Sequence, residues 1–371
     1  MKIICNTAAL TEACTNVQRA VAAKSVNPAL EGIYLKTTDQ GVELSGYDLE
    51  VGITTMLEAG VAEKGGVIVN AKTFCDILRH LPESNVKLES DEKNRCFIQS
   101  GDAEYTLNGM GEGEYPELPY VMGGQPVIFP QLTLKDMIRQ VIFSVSNDDS
   151  KTVHKGVKFE ITSGYLKLVA LDGYRLAIRE EAIDYTGDNL SFIVPAKTLN
   201  EVVKIIDDDN GYISVHLDKK HIVFGLNGYH IVSRILEGDF LDYSSAIPKD
   251  FETEVVVKTQ DFISSIDRMS LLMVEKFKTP LRCVFDDQSI RFSSTTAIGS
   301  ASDRIHAKIT GPGVEKGFNS RYLSEAFRVI ESDEALIRLN TAQASPACIY
   351  PVSGTGFFYM ILPVRLPNEN G

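Results

Sequence analysis

The chain has 371 residues, of which 44% are hydrophobic and 23% charged, enough to bury the cores of two to three ordinary domains. Its formal net charge is −13, which repels duplex DNA unless the positive charge is segregated on one surface. No apolar run approaches the roughly 18 to 20 residues of a membrane span, Met1–Asn6 is too short for a secretory signal, and the six cysteines show neither metal-binding nor disulfide-framework spacing, so a cytoplasmic protein with reduced, core-packed cysteines is expected.

Met1–Asn6 reads as a first β-strand, and it opens a pattern that recurs along the whole chain. Six apolar strands end in Asn6, Asn70, Pro130, Pro195, Lys258 and Asn319. Four residues after each stands a large apolar residue, Leu10, Phe74, Leu134, Leu199, Phe262 or Leu323, which is expected to open a helix. Consecutive anchors lie 60 to 65 residues apart. Two places beyond the anchor five segments carry an acid (Glu12, Asp76, Asp136, Glu201, Glu325) and the fifth carries Ser264; placed in a first turn, these acids would suit the helix dipole. Apolar residues then recur at the helical period, as in Leu199, Val202, Val203, Ile206 and in Leu323, Ala326, Phe327, Ile330, so each helix buries one face against a sheet.

Between the helices the chain alternates and turns often, as at Gly41–Ser45, Tyr165–Ala170 and Ser289–Ser293, predicting half-buried antiparallel strands, roughly four per repeat. Two segments echo each other, Glu112–Leu118 and Glu237–Tyr243, and read as exposed connectors after the second and fourth repeats. The fold class is therefore α+β, with three similar domains of two repeats each, at 1–122, 123–249 and 250–371.

The basic residues keep the same register. Arg79, Arg139, Lys204 and Arg328 stand five places after their anchors, Arg268 six and Arg19 nine, with Lys24, Lys72, Lys135, Lys197 and Arg321 nearby. On any single helix such charges describe a solvated face. Repeated through one architecture they would gather, while acids cluster elsewhere, at Asp91–Glu92, Asp148–Asp149 and Asp207–Asp209. Lys24, Arg79, Arg139, Lys197, Lys204, Arg268 and Arg328 are the candidates to face duplex DNA, meeting phosphates without reading bases. The absence of Trp argues against single-strand stacking.

No catalytic constellation is present: there is no phosphate-binding Gly-rich loop of the Gly-x-x-x-x-Gly-Lys-Ser/Thr kind, the six histidines lack metal spacing, and Asp172 near Arg175 reads as a turn-stabilising ion pair. No cofactor and no metal are expected. The rival reading is a repeat-built scaffold or enzyme whose basic faces bind an acidic partner.

Asp172–Ala177, the connector Glu237–Phe240, the run Asn319–Leu323 and the terminal Leu362–Leu366 are similar, together, to the bacterial β sliding clamps, the processivity subunits of DNA polymerase III, and the resemblance spans essentially the whole chain. It implies a head-to-tail homodimer closed into a ring around double-stranded DNA, with twelve helices lining the pore and no enzymatic activity. It further implies a hydrophobic groove between the middle and last domains, where the polymerase III catalytic subunit, the clamp loader and repair or translesion polymerases dock a short peptide of Gln-x-Leu-x-Phe type. By position that groove uses His154, Leu171, Gly173, Tyr174, Arg175, Leu176, Leu241, Ala246, Ile247, Met360, Leu362, Pro363, Val364 and Arg365. The dimer contact implied pairs the edge strand around Tyr105 with the last domain near Leu271 and Leu272, in a stretch, Ser270–Met273, more apolar than a solvated helix end. The chain departs from the family in Tyr174, in Ser245, in the acids near 147–153 and in the five residues Pro367–Gly371.

Overall fold

The computed structural model describes residues 1–121, 125–207, 210–273, 279–354 and 356–366. The boundary at 122/123, the acids Asp208 and Asp209, and the tail Pro367–Gly371 lie outside the described residues. Six α-helices are present among them: α1 (Thr7–Val17), α2 (Ala71–Leu78), α3 (Gln131–Ile142), α4 (Ala196–Ile205), α5 (Thr259–Ser270) and α6 (Ser320–Arg328).

Each helix opens directly after the strand-ending residue, so the apolar anchor is its fourth residue and not its first. The expected first-turn acids are displaced accordingly. Glu12, Asp76, Asp136, Glu201 and Glu325 sit in the second turn, beyond the unpaired N-terminal amides, and only α5 has a first-turn acid, Asp261. Three of the N-termini are capped instead by amide side chains: Asn6 accepts from the Ala9 N–H at 3.0 Å, Asn70 from Thr73 at 3.0 Å and Asn319 from Arg321 at 3.0 Å. Two of the second-turn acids pair with basic residues three positions on, Asp76 with Arg79 and Glu201 with Lys204, and Glu325 pairs with Arg175 and with Arg321 four positions before it.

The chain forms two compact units, residues 1–134 with 197–235, and residues 135–196 with 236–371. The first unit holds a five-stranded sheet, in spatial order Gly60–Glu63, Lys2–Asn6, Asn85–Ser90, Arg95–Ser100, Ala103–Asn108. It also holds an eight-stranded sheet: Val127–Pro130, Tyr212–Leu217, His221–Leu226, Tyr229–Arg234, Val51–Leu57, Gly41–Tyr47, Gly32–Thr38, Gly66–Asn70. In the second unit a nine-stranded sheet runs Leu190–Pro195, Gly156–Thr162, Tyr165–Leu171, Arg175–Ala182, Phe357–Ile361, Ala347–Pro351, Glu334–Leu339, Thr253–Lys258, Lys308–Thr310. Its four-stranded companion runs Gly299–His306, Ser289–Thr296, Leu281–Asp286, Val314–Phe318.

Two rules generate this order. Each repeat is a strand, a helix and three strands, to which the first and fifth add a short extra strand outside this count (Gly60–Glu63, Lys308–Thr310), and the strand before the helix crosses to pair with its sister repeat. Lys2–Asn6 pairs with Asn85–Ser90 while Gly66–Asn70 pairs with Gly32–Thr38, and the other two domains repeat the exchange. Sister repeats thus hold each other by backbone ladders as well as by side chains. The second rule is that the last strands of repeats pair antiparallel with each other: Tyr229–Ser233 with Val51–Thr55, and Arg175–Arg179 with Phe357–Ile361. A ladder of this kind runs across each border between the expected domains, which is why the middle one divides between the two units.

The helices close the cores. In the first unit α1 packs on α2, and in the second α5 packs on α6. Phe262 and Phe327 stack with centroids 3.8 Å apart, and Phe292 meets Phe262 edge-on at 5.5 Å. All three are essentially buried, so Phe262→Ala removes an aromatic ring from a packed core and is expected to cost about 3–5 kcal/mol, read as a lower midpoint of unfolding. All six cysteines are free and buried. The connectors are largely exposed, as expected, but their aromatics tuck in. Tyr115 is buried among Ala29, Leu30, Tyr47 and Ile68 and donates its hydroxyl to the Ser45 carbonyl at 3.1 Å; Phe240 packs on the cluster around Leu176. An aromatic ring with nearby apolar surface is worth burying even on a crossing segment.

Candidate functional site

The residues of the expected groove all lie in the second unit. Asp172 shapes it. One carboxylate oxygen accepts from the Tyr174 and Arg175 N–H groups at 2.8 and 3.1 Å, and the other takes the Arg175 Nε at 2.9 Å. Gly173 completes the turn at φ +94, a left-handed conformation that favours glycine. The turn presents Tyr174, 62% exposed, and aims the Tyr174 carbonyl at the Leu362 N–H, 2.8 Å away. The Val364 N–H is held in turn by the Gly317 carbonyl at 2.8 Å.

Leu171, Leu176 and Met360 fall in one buried cluster. They are buried with Val169, Ile178 and Cys348, and Phe240, Tyr243 and Ile247 pack against them from the connector. The ladder sets Leu176 opposite Met360. Of the other residues expected at the groove, Leu241 is 53% exposed and Val364 40%, Ala246 and Arg365 are exposed, and Ile247, Leu362 and Pro363 are half-buried. His154 lies edge-on to Phe240 at 5.5 Å, and its Nδ1 is buried without a hydrogen-bond partner among the described residues. Burial, with the Lys151 ammonium, holds that imidazole below its ordinary value, so it is neutral at pH 7.

Arg175 is a largely buried member of the expected set. It is 5% exposed and bound to Asp172 and to Glu325 of α6, with its guanidinium 4.3 Å from the Tyr322 ring centroid and 5.5 Å from that of Phe143. A buried charge requires such partners.

The candidate cations are all exposed or half-exposed. Five of the seven are engaged: Arg79 with Asp76 at 2.8 Å, Lys197 with Asp48 at 2.7 Å and Glu50 at 2.6 Å, Lys204 with Glu201 at 2.8 Å, Arg268 with Asp303 at 2.6 Å, and Arg328 with Asp267 at 2.7 Å. Desolvation works against the Lys197 ammonium, but its two carboxylates outweigh it and its pKa stands above the ordinary value. Lys24 and Arg139 make no ion pair among the described residues. Charge is thus segregated only in part. The six helices carry eight basic and seven acidic side chains, against 37 and 50 in the whole chain, so they form a near-neutral set in an acidic protein. Exposed pairs of this kind contribute about 0–1 kcal/mol each, so a phosphate can compete for the cation.

Two last strands have no ladder on their outer side among the described residues: Ala103–Asn108 in the first unit and Gly299–His306 in the second. Tyr105 is 38% exposed on the first, above a shallow cleft of about 440 Å³ lined by Lys72, Thr73, Asp76, Ile77, His80 and Tyr105. Beside the second, Leu271 is 81% exposed just beyond α5, and Leu272 approaches Gly299, with 4.0 Å between the leucine methyl and the position a Cβ would take there.

Three family models cover this architecture in order: the DNA polymerase III beta subunit N-terminal domain at residues 1–119, the central domain at 129–242 and the C-terminal domain at 244–365. The chain belongs to the DNA polymerase III beta subunit family. The family is that of the beta sliding clamps, processivity subunits without catalytic activity of their own. Among its relatives, the beta sliding clamp of Bacillus subtilis is 30% identical over 368 residues, covering 96% of this chain and 97% of that one. The beta sliding clamp of Halalkalibacterium halodurans is 30% identical over 364 residues, covering 94% and 96%. The crystal structure of the Bacillus subtilis DNA polymerase sliding clamp superposes with a TM-score of 0.95 at 29% identity, covering 99% of this chain and 100% of that one. A Thermotoga maritima DNA polymerase III beta subunit superposes with a TM-score of 0.91 at 25% identity, covering 99% and 100%. Among the described residues no helix is long and apolar enough to cross a membrane, and no group of three or more His, Cys, Asp or Glu is placed to hold a metal.

Further residues join those expected at the groove, some inside the quoted motifs and some without a distinctive sequence signal. Phe240, Tyr243, Phe251, Tyr350 and Phe358 pack on the Leu176 cluster, and Tyr322 and Glu325 hold Arg175. Glu325 carries a signal, since it is one of the periodic acids. Phe251, Tyr350 and Phe358 look like ordinary core.

Proposed function

We propose that two copies of this chain close head to tail into a ring that encircles duplex DNA, slides on it without reading sequence, and tethers the replicative polymerase and other replication or repair proteins through the groove around Leu176 and Leu362. The observation that carries the ring is the pattern of ladders. Last strands of repeats pair with last strands, and the two that remain unpaired, Ala103–Asn108 and Gly299–His306, belong to the second and the fifth repeats, one in each unit. Joining one to the other between copies extends the same rule and leaves no open edge of that kind. Tyr105 and its cleft on one copy would receive Leu271 and Leu272 of the other. Such a ring works in the cytoplasm on chromosomal DNA.

Native mass and DNA topology test this together. A closed dimer has about twice the 40.9-kDa mass of the chain, stays on nicked circular DNA at salt that screens ordinary contacts, and leaves the same DNA once it is linearised. A groove-binding scaffold would remain a monomer or leave both DNAs alike.

Lys24, Arg79, Arg139, Lys197, Lys204, Arg268 and Arg328 are proposed to face the duplex. Lys24 and Arg139 are the more available, since the other five are already neutralised by carboxylates. Combined Lys24→Glu and Arg139→Glu is expected to shorten residence on circular DNA on the order of tenfold at low salt, with the dimer intact; Arg79→Glu alone is expected to do less. Unchanged residence of the double variant would remove the DNA-facing assignment.

A further inference from the structure

We propose that Glu325 is a positioning residue of the peptide groove, acting from α6 through Arg175; this rests on the groove reading above. Glu325 lies in the second turn of α6, remote in sequence from the turn it supports. One of its carboxylate oxygens takes the Arg175 guanidinium, and the other lies 3.6 Å from Arg321 on the same helix. Arg175 passes the constraint on. Its Nε meets Asp172, whose second oxygen gathers the Tyr174 and Arg175 amides. The Tyr174 carbonyl then receives the Leu362 amide. The path from α6 to the groove wall is therefore a series of direct contacts: Glu325, Arg175, Asp172, the Tyr174 carbonyl, Leu362.

Each step has few alternatives. Arg175 is 5% exposed, and a guanidinium with one of its two acids removed would draw harder on Asp172. The rings of Tyr322 and Phe143 fix the guanidinium plane but do not satisfy its N–H donors. Asp172 cannot serve both the charge and the two amides in a shifted position. With Glu325 gone, the turn at Gly173 and the Tyr174 carbonyl lose their fixed geometry, and Leu362 loses its hydrogen bond. A groove wall that must be ordered at the moment of binding binds less tightly than one already in place. The same carboxylate also faces Arg321, so charge on the outer surface of α6 and the geometry of the groove share one residue.

Glu325→Gln keeps the shape and removes the charge. Calorimetry with a Gln-x-Leu-x-Phe-type peptide is expected to show affinity falling about tenfold, as when a charge-assisted pair becomes a neutral hydrogen bond. Hydrogen exchange supplies the readout that a merely structural role would not give: the Leu362 amide should exchange faster while the Val364 amide, held by Gly317, stays protected. Glu315→Gln, which breaks the Arg282 pair elsewhere in the same unit, should change neither. Unchanged affinity and unchanged Leu362 protection in Glu325→Gln would overturn the proposal, as would equal loss of protection at Leu362 and Val364. Leu362→Ala separates the two levels. If it abolishes peptide binding and Glu325→Gln does not weaken it, only the positioning role falls; if neither variant loses the peptide, the groove assignment falls with it.

Discussion

Leu272→Asp is expected to convert the dimer to monomers, with sedimentation or native mass spectrometry reporting 40.9 kDa in place of about twice that value. Leu271 and Leu272 come directly after the end of α5 at Ser270, and Leu271 is 81% exposed. Leu272 adjoins Gly299, the first residue of the unpaired strand Gly299–His306, so a side chain at 272 sits where a second copy would dock. Placing a carboxylate there buries a charge with no partner, against which the new backbone ladder offers no compensation. A cost of about 3–5 kcal/mol weakens a dimer by two to three orders of magnitude or more. The substitution is at a partly exposed position of the single chain, so the monomer should fold. A profile that still shows dimers at micromolar concentration would place the interface elsewhere.

The second large effect is expected in the groove. Leu176→Ala with Leu362→Ala should abolish measurable binding of a Gln-x-Leu-x-Phe-type peptide. Leu362, half-buried, offers up to about 1.5–3 kcal/mol of apolar contact, and truncating Leu176, which is already packed, hollows the cluster beneath it, so together they are worth on the order of two or more orders of magnitude in affinity. The two residues differ in kind. Leu176 is 2% exposed and part of a packed cluster, so its truncation also costs stability, about 2–5 kcal/mol. Leu362 is half-buried on the wall, and Leu362→Ala alone should weaken the peptide with little change in melting temperature. Full peptide affinity in the double variant, with a folded protein, would move the groove away from this ladder.

The helices were legible because their signal is local. A polar or proline strand end and a large apolar residue four places on recur six times, and the apolar stripe beyond has the helical period. The position of the acids was legible too, but its meaning was not. Counting from the apolar anchor as though it began the helix put Glu12, Asp76, Asp136, Glu201 and Glu325 one turn too early, and so attached them to the dipole. Counted from the cap they fall in the second turn, where Asp76 and Glu201 meet a basic residue three positions on and Glu325 meets Arg321 one turn back and Arg175 across the fold. The cations show the same limit from the other side. Their register on the helices was visible, whereas the carboxylates that neutralise Lys197, Arg268 and Arg328 come from Asp48 and Glu50, from Asp303 and from Asp267, distant in the chain.

By itself the sequence determined the six-fold repeat, the α+β class, the family and the lack of any recognisable catalytic motif, because each depends on spacing, composition or short motifs that survive without neighbours. Only the tertiary structure decided which strands cross to the sister repeat, which last strands pair, and which two remain open among the described residues. It also decided that Arg175 is held inside the fold by Glu325 and Tyr322. The reason is the same in each case: a ladder or a buried ion pair is formed by residues tens to hundreds of positions apart, and their pairing is set by backbone hydrogen bonding and desolvation that no local pattern records.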